Sequence, residues 1–184
     1  DQGSDFTGGT GNDTFMGAHD GTNATWTVAD AIDGGAGTDT LKIVKTAAIT
    51  AAEVSPTGAT ASNIENVEII SGATIISSTA AGALKDVTTI TTTSTGGATI
   101  TGGATQDLNV NDGGIDTATD GEITINGGKN VVGVFTSDDS VTDGDNAAEV
   151  VVGTTTAAAG TVNITHSGKY IGAANDNKLQ DVTI

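Results

Sequence analysis

A nine-residue pattern rich in glycine and aspartate occurs twice near the N-terminus. Residues 8–16 and 34–42 both match G-G-x-G-x-D-x-U-x, in which U is a large apolar residue. The glycines allow the backbone to turn with positive φ and bring carbonyl oxygens close to an ion, and the aspartate adds a carboxylate oxygen. The apolar residue, Phe15 or Leu41, begins a strand and points into the core. The pattern therefore predicts stacked solenoid turns with calcium bound between their loops.

Partial copies of the pattern flank the complete ones. Asp30 and Ile32 lie nine residues before Asp39 and Leu41, as in one more unit of the same repeat. The candidate calcium ligands in this region are Gly9, Gly11, Asp13, Asp30, Asp33, Gly35, Gly37 and Asp39. The alternative interpretation is that these are glycine-rich turns without metal.

The two complete patterns are further apart than a regular roll requires. Loops that share an ion in such a roll lie two nonapeptides, or about 18 residues, apart, whereas Gly8 and Gly34 are separated by 26 positions. We expect the intervening segment, which contains His19, Asp20 and Trp26, to bulge outward while the flanking strands keep register.

Two acidic clusters further along the chain are weaker candidates for calcium. Asp112 and Asp116 belong to one cluster, and Asp143 and Asp145 belong to the other. Each cluster places several carboxylates in one loop, as calcium requires, but solvated turns have the same composition.

The composition favours a thin core. Only 3% of the residues are aromatic, and many segments alternate Thr with Val or Ile, which is typical of half-buried strands. Ile64 and Leu84 begin similar segments 20 residues apart, about one rung of a parallel β-helix. We predict an all-β fold, a right-handed parallel β-helix or β-roll solenoid, with a β-sandwich as the alternative for the C-terminal part. The predicted divisions are calcium-binding turns at 1–45, a linker at 46–62, and Thr-, Ala- and Val-rich rungs at 63–184.

The charge excludes several classes of partner. The chain has 23 acidic residues, 6 basic residues and a net charge of -17, so nucleic acid and anionic membrane surfaces would be repelled. The same repulsion opposes folding unless cations are bound. The chain has no cysteine, which leaves calcium as the expected cross-link. It also has no apolar run long enough to insert in a membrane.

Catalytic constellations are absent from the sequence. The two histidines, His19 and His166, lack further ligands nearby in the sequence, and no serine lies in a G-x-S-x-G setting. We therefore expect a protein that is not an enzyme.

Three segments in this order resemble a known family. Residues 6–15, 32–41 and 63–69 (FTGGTGNDTF, IDGGAGTDTL and NIENVEI) are similar to the RTX-containing S-layer proteins of Gram-negative bacteria. The resemblance implies a calcium-dependent β-helical segment of a secreted surface-layer protein, with Asp13, Asp39 and the adjacent glycines as Ca²⁺ ligands. It also implies type I secretion, a location at the bacterial cell surface, and self-association into a lattice with neighbouring copies, with cell-surface polysaccharide as a further partner.

Two other functions remain open at this point. Giant RTX adhesins share the nonapeptide, so the chain is alternatively the stalk or binding module of a type I secreted adhesin. The second alternative is an accessory calcium module of a secreted enzyme whose catalytic residues lie elsewhere.

Overall fold

The structure, a computed structural model, consists almost entirely of parallel β-strands. It describes residues 3–20, 24–73, 75–113, 123–138, 149–169 and 181–183. The strands are β1 (Asp5–Thr7), β2 (Thr14–Ala18), β3 (Ala31–Asp33), β4 (Thr40–Lys45), β5 (Thr60–Ser62), β6 (Asn66–Ser71), β7 (Ile75–Ser78), β8 (Thr89–Ser94), β9 (Ala98–Gly102), β10 (Asp107–Asp112), β11 (Ile123–Gly127), β12 (Val131–Asp138), β13 (Glu149–Val152), β14 (Val162–Lys169) and β15 (Asp181–Thr183). The helical segments are α1 (Ala51–Val54) and a 3-10 helix at Gly82–Leu84.

The strands form three sheets that run along a solenoid. Sheet A has the order β1-β3-β5, and sheet B has the order β14-β12-β10-β8-β6-β4-β2. Sheet C has the order β15-β13-β11-β9-β7. Successive strands of a sheet belong to successive rungs, and each described pair is parallel. The predicted parallel β-solenoid is thus confirmed. The β-sandwich alternative is wrong, because sheet C continues by parallel pairing from β7 to β15.

Rung length varies while the strand register is kept. Equivalent positions of sheet B are 18 residues apart between Ser94 and Asp112, and 31 residues apart between Asn130 and Thr161. The predicted spacing of about 20 residues lies within this range. The loops absorb the difference, because a parallel ladder requires matched strands but sets no length for the chain that returns to it.

Alternation along each strand creates the core. Leu41, Val67, Ile90, Leu108 and Val131 occupy equivalent positions in successive rungs of sheet B, and all five side chains are buried. The core is therefore a narrow stack of aliphatic side chains, as the shortage of aromatic residues predicted.

In the first two rungs Trp26 and α1 cover the side of the core that sheet C covers in later rungs. Trp26 is 1% exposed, and its indole Nε1 donates to the carbonyl oxygen of Val54 in α1 at 3.0 Å. A Cβ added at Gly17 would lie 2.7 Å from the Trp26 Cβ, so this glycine makes room for the ring. The prediction that strands β2 and β4 keep register is confirmed. The expected outward bulge is wrong for Trp26, which turns into the core.

Segment 46–62 participates in the solenoid. Ile49 bridges to Ile75, and β5 pairs with β3. Sheet B also continues across this segment through the pairing of β4 with β6. The division of the chain at 45 and 62 remains a prediction. No helix in the described ranges is long and apolar enough to cross a membrane.

Candidate metal centre

The two glycine-rich loops stack directly on each other where the chain enters sheet B. The loop before β2 and the loop before β4 are linked by parallel register of the strands that follow them. The Gly8 amide donates to the Asp33 carbonyl oxygen at 2.7 Å, and the Ala36 amide donates to the Gly9 carbonyl oxygen at 3.0 Å. The pattern therefore brings the two loops together, 26 residues apart, as predicted.

Close packing of these loops accounts for several of the glycines. A Cβ added at Gly35 would lie 2.3 Å from the Gly9 carbonyl oxygen, and one at Gly37 would lie 2.5 Å from the Gly11 carbonyl oxygen. Gly35 and Gly37 also have positive φ, of 88° and 147°. Gly11 differs, because a Cβ there would meet nothing within 4 Å. Gly11 and Gly37 occupy the same position of the pattern, but only Gly37 is required to be glycine by the packing of the loops.

A ladder of carboxylates runs across the loops. The Asp13 amide donates to Asp39 Oδ1 at 2.7 Å, and the Asp39 amide donates to Glu65 Oε2 at 2.7 Å. Each carboxylate therefore accepts a hydrogen bond from the rung before it. Glu65 was not among the predicted site residues. The signal that could have found it is the constant spacing of 26 residues from Asp13 to Asp39 to Glu65.

Asp39 has a buried oxygen without a hydrogen-bond donor. The residue is fully buried, and its Oδ2 atom has no hydrogen-bond partner. In the first loop the equivalent atom, Asp13 Oδ2, accepts from the Gly9 amide at 2.7 Å. In the second loop the Gly35 amide instead donates a hydrogen bond to Asp33 Oδ1 at 3.1 Å. A buried carboxylate oxygen without a donor is costly, so this atom is suited to a cation.

Asp30 and Asp33 are occupied by hydrogen bonds within the chain. Asp30 accepts from the amides of Ser4 and Thr27 at 3.0 and 2.6 Å and from the Thr27 hydroxyl at 3.0 Å. Burial raises the pKa of Asp30, but these hydrogen bonds outweigh it and leave the pKa below its ordinary value. Asp33 Oδ1 accepts from the Asn63 side-chain amide and the Gly35 amide, which lower its pKa. Both aspartates hold loops in place.

Asp112 lies inside the solenoid. It is 2% exposed, and its Oδ2 accepts from the Ser94 hydroxyl and, at 3.1 Å, from the Gly97 amide. The structure therefore places this carboxylate in a buried hydrogen-bond network. The other predicted acids of the weaker clusters, Asp116, Asp143 and Asp145, lie outside the described residues.

Side chains alone do not form a complete metal site in the described part of the chain. No group of three or more His, Asp or Glu residues there is arranged to hold an ion. Calcium takes six to eight oxygens and accepts backbone carbonyls. Asp39 Oδ2 lies beside Gly34, since a Cβ added there would be 2.5 Å away. This buried oxygen, with backbone carbonyls as further ligands, therefore fits calcium better than a metal that requires several side-chain ligands.

Neither a scan against protein-family models nor a search of curated proteins gives a match for this chain.

Proposed function

We propose that this chain is a calcium-folded structural segment of a bacterial surface layer. The observation that carries the proposal is the buried, unpartnered Oδ2 of Asp39 beside the stacked glycine loops. Asp39 would bind Ca²⁺ with that atom, Asp13 and the carbonyls of the glycine loops would supply further oxygens, and the ion would offset part of the -17 charge. The chain would act by folding and association, without catalysis, outside the cell.

The exposed architecture supports a structural role. A stack of parallel rungs presents sheet faces that run across successive rungs, and neighbouring copies in a layer would make contact through such faces. An adhesin stalk or an accessory module of a secreted enzyme would use the same calcium-dependent folding. Ordered two-dimensional sheets in electron micrographs would distinguish the layer from these two alternatives.

The test of the calcium site is the substitution Asp39→Asn, which keeps the shape but removes the charge. In chelator the substitution should leave the free energy of unfolding unchanged or raise it, because a buried unpartnered charge is removed. In saturating calcium it should lower the free energy of unfolding relative to the unsubstituted chain, because the ion stabilises only the folded form that binds it. Urea unfolding with and without calcium measures both effects.

The matched control is Glu65→Gln, in the next rung of the same ladder. Glu65 also accepts a backbone amide, but it is only partly buried and has no glycine loop before it. Its substitution should have the same effect with and without calcium. If Asp39→Asn also changes stability by equal amounts in both conditions, Asp39 is not a calcium ligand and the proposed site is wrong.

A further inference from the structure

The outward face of sheet B is a surface that extends across seven strands. Parallel register aligns its side chains in columns along the solenoid. One column contains Val44, Ile70, Thr93, Asn111, Val134 and Thr165. These are β-branched or amide side chains, and none carries a charge.

This face is nearly neutral in a strongly acidic protein. The charged residues among its described side chains are Lys42, Glu68 and Asp107. Lys42 pairs with Glu68 at 3.1 Å, and Asp107 Oδ1 accepts from the Asn130 side-chain amide at 2.8 Å. The chain as a whole has 23 acidic and 6 basic residues. The face is therefore a broad surface on which two copies can meet without strong repulsion between carboxylates.

Apolar side chains are exposed towards both ends of the face, on the end strand β2 and on β12, the strand next to the other end. Met16 on β2 is 58% exposed, and Val132 and Val134 on β12 are 40% and 44% exposed. These are three of the six large apolar side chains that are exposed among the described residues. Covering them would remove apolar area from water, which favours association.

The size of the face meets the lower limit for a stable interface. Seven strands about 4.8 Å apart and about six residues long at ~3.3 Å per residue cover about 600 Å² on each copy. Two such faces would bury about 1,200 Å², the lower end of the range for specific protein interfaces.

We propose that sheet B is a dimer interface, where a second copy of this chain packs face to face. The solenoid axes of the two copies run in opposite directions, so that β2 of one copy lies over β14 of the other. The central strand β8 of one copy then lies over β8 of the other, so that Thr93 of one copy faces Thr93 of the other. This arrangement keeps the two Glu68 side chains apart, because each lies over β10 of the other copy, with Asn109 at the same register and Asp107 two residues away. The inference deepens the proposed self-association by naming a contact that needs no bridging ion.

The experiment is sedimentation velocity over a range of protein concentrations, in calcium sufficient to saturate the chain. Thr93→Glu places two carboxylates opposite each other, one from each copy, and should raise the dimer dissociation constant at least about tenfold. The matched control is Thr99→Glu, at a threonine on sheet C that is also exposed, which should dimerise like the unsubstituted chain. If the unsubstituted chain remains monomeric, or if the two substitutions weaken the dimer equally, the interface is wrong.

A second measurement tests the geometry without added charge. Because the chain has no cysteine, Thr93→Cys and Thr99→Cys each introduce a single thiol. Packed sheets lie about 10 Å apart, so a bifunctional maleimide of that span should cross-link Thr93→Cys into a covalent dimer and leave Thr99→Cys monomeric. Equal cross-linking of the two variants would contradict the proposal.

Failure of this interface and failure of the calcium site can be told apart. The calcium site is judged by the unfolding of Asp39→Asn with and without chelator. The interface is judged by the oligomeric state of folded protein at constant calcium. A chain that folds with calcium but stays monomeric would retain the proposed site and lose the interface.

Discussion

At the scale of single residues, aspartates that look alike in the sequence have different roles in the structure. Asp30 and Asp39 are both buried and both belong to copies of the same pattern. Donors within the chain surround Asp30, whereas one oxygen of Asp39 has none. Burial alone does not identify a metal ligand. The two aspartates differ in the number of hydrogen-bond donors around their oxygens, and on this difference we base the proposal that Asp39 binds calcium.

The first prediction is that Asp30 stabilises the fold but does not bind calcium. Asp30→Asn replaces an acceptor with a donor opposite backbone amides and should cost about 1–3 kcal/mol of unfolding free energy at pH 7. Calcium affinity, measured by calorimetric titration, should be unchanged. Asp86→Asn, at an exposed residue, is the control and should change neither quantity.

The contribution of Asp30 should also depend on pH. Its folded pKa lies below the ordinary value of 3.8, so its stabilisation is complete above that value and is lost as the pH falls through the folded pKa. The difference in unfolding free energy between the unsubstituted chain and Asp30→Asn should therefore shrink below pH 4. A difference that stays constant down to pH 2 would show that the charge of Asp30 is not what matters.

A second prediction separates two glycines of the nonapeptide pattern, one from each loop. Gly35→Ala forces a Cβ against the Gly9 carbonyl oxygen at a residue with φ of 88°, and should destabilise the chain by at least ~2 kcal/mol. Gly11→Ala meets no atom within 4 Å and should change stability by less than about 0.5 kcal/mol. Urea unfolding of both variants measures this, and equal losses would contradict the packing described for the two loops.

At the scale of secondary-structure elements, Trp26 and α1 take the place of a third sheet in the first rungs. The Trp26 ring fills the space beside Gly17, and its hydrogen bond to Val54 fixes the ring against α1. The insert between the two glycine loops thereby becomes part of the core. The stability of the two glycine loops should then depend on this packing, because Trp26 follows the first loop and precedes the second.

The third prediction uses this residue, the chain's single tryptophan, as a reporter. Chelation should shift Trp26 emission to longer wavelength if calcium folds the N-terminal rungs, since the buried ring would become exposed to water. Trp26→Ala should also cost about 3–5 kcal/mol, whereas Val28→Ala, at a residue 47% exposed, should cost little. An emission maximum that is identical with and without chelator would show that these rungs fold without calcium.

At the scale of the whole molecule, charge and shape act in opposite directions. The exposed apolar side chains of sheet B would favour association, whereas a net charge of -17 opposes it. At the proposed interface two copies would meet across the near-neutral face of sheet B, whereas growth beyond a dimer would add the remaining negative charge of each further copy. We therefore propose that growth beyond a dimer uses a divalent ion that binds oxygens from two copies.

The fourth prediction is that millimolar calcium produces ordered assemblies larger than a dimer, and that sodium at matched ionic strength does not. Sodium screens repulsion but supplies no directed bridge between carboxylates. Light scattering and electron microscopy measure the outcome. Folded, calcium-loaded protein that remains dimeric or monomeric at high concentration would count against the surface-layer function and favour the adhesin stalk.

The sequence by itself determined the parallel solenoid, the thin aliphatic core and the meeting of the two glycine loops. These follow from local periodicity, because alternation along a strand decides which side chains face inward wherever the strand lies. Only the tertiary structure decided that Trp26 points inward, that Glu65 extends the carboxylate ladder, and that Asp39 rather than Asp30 has an unpartnered oxygen. Each of these depends on which backbone group from another rung or turn comes within hydrogen-bond distance. Because rung lengths vary from 18 to 31 residues, the sequence alone does not tell which residue of the next rung will be that neighbour.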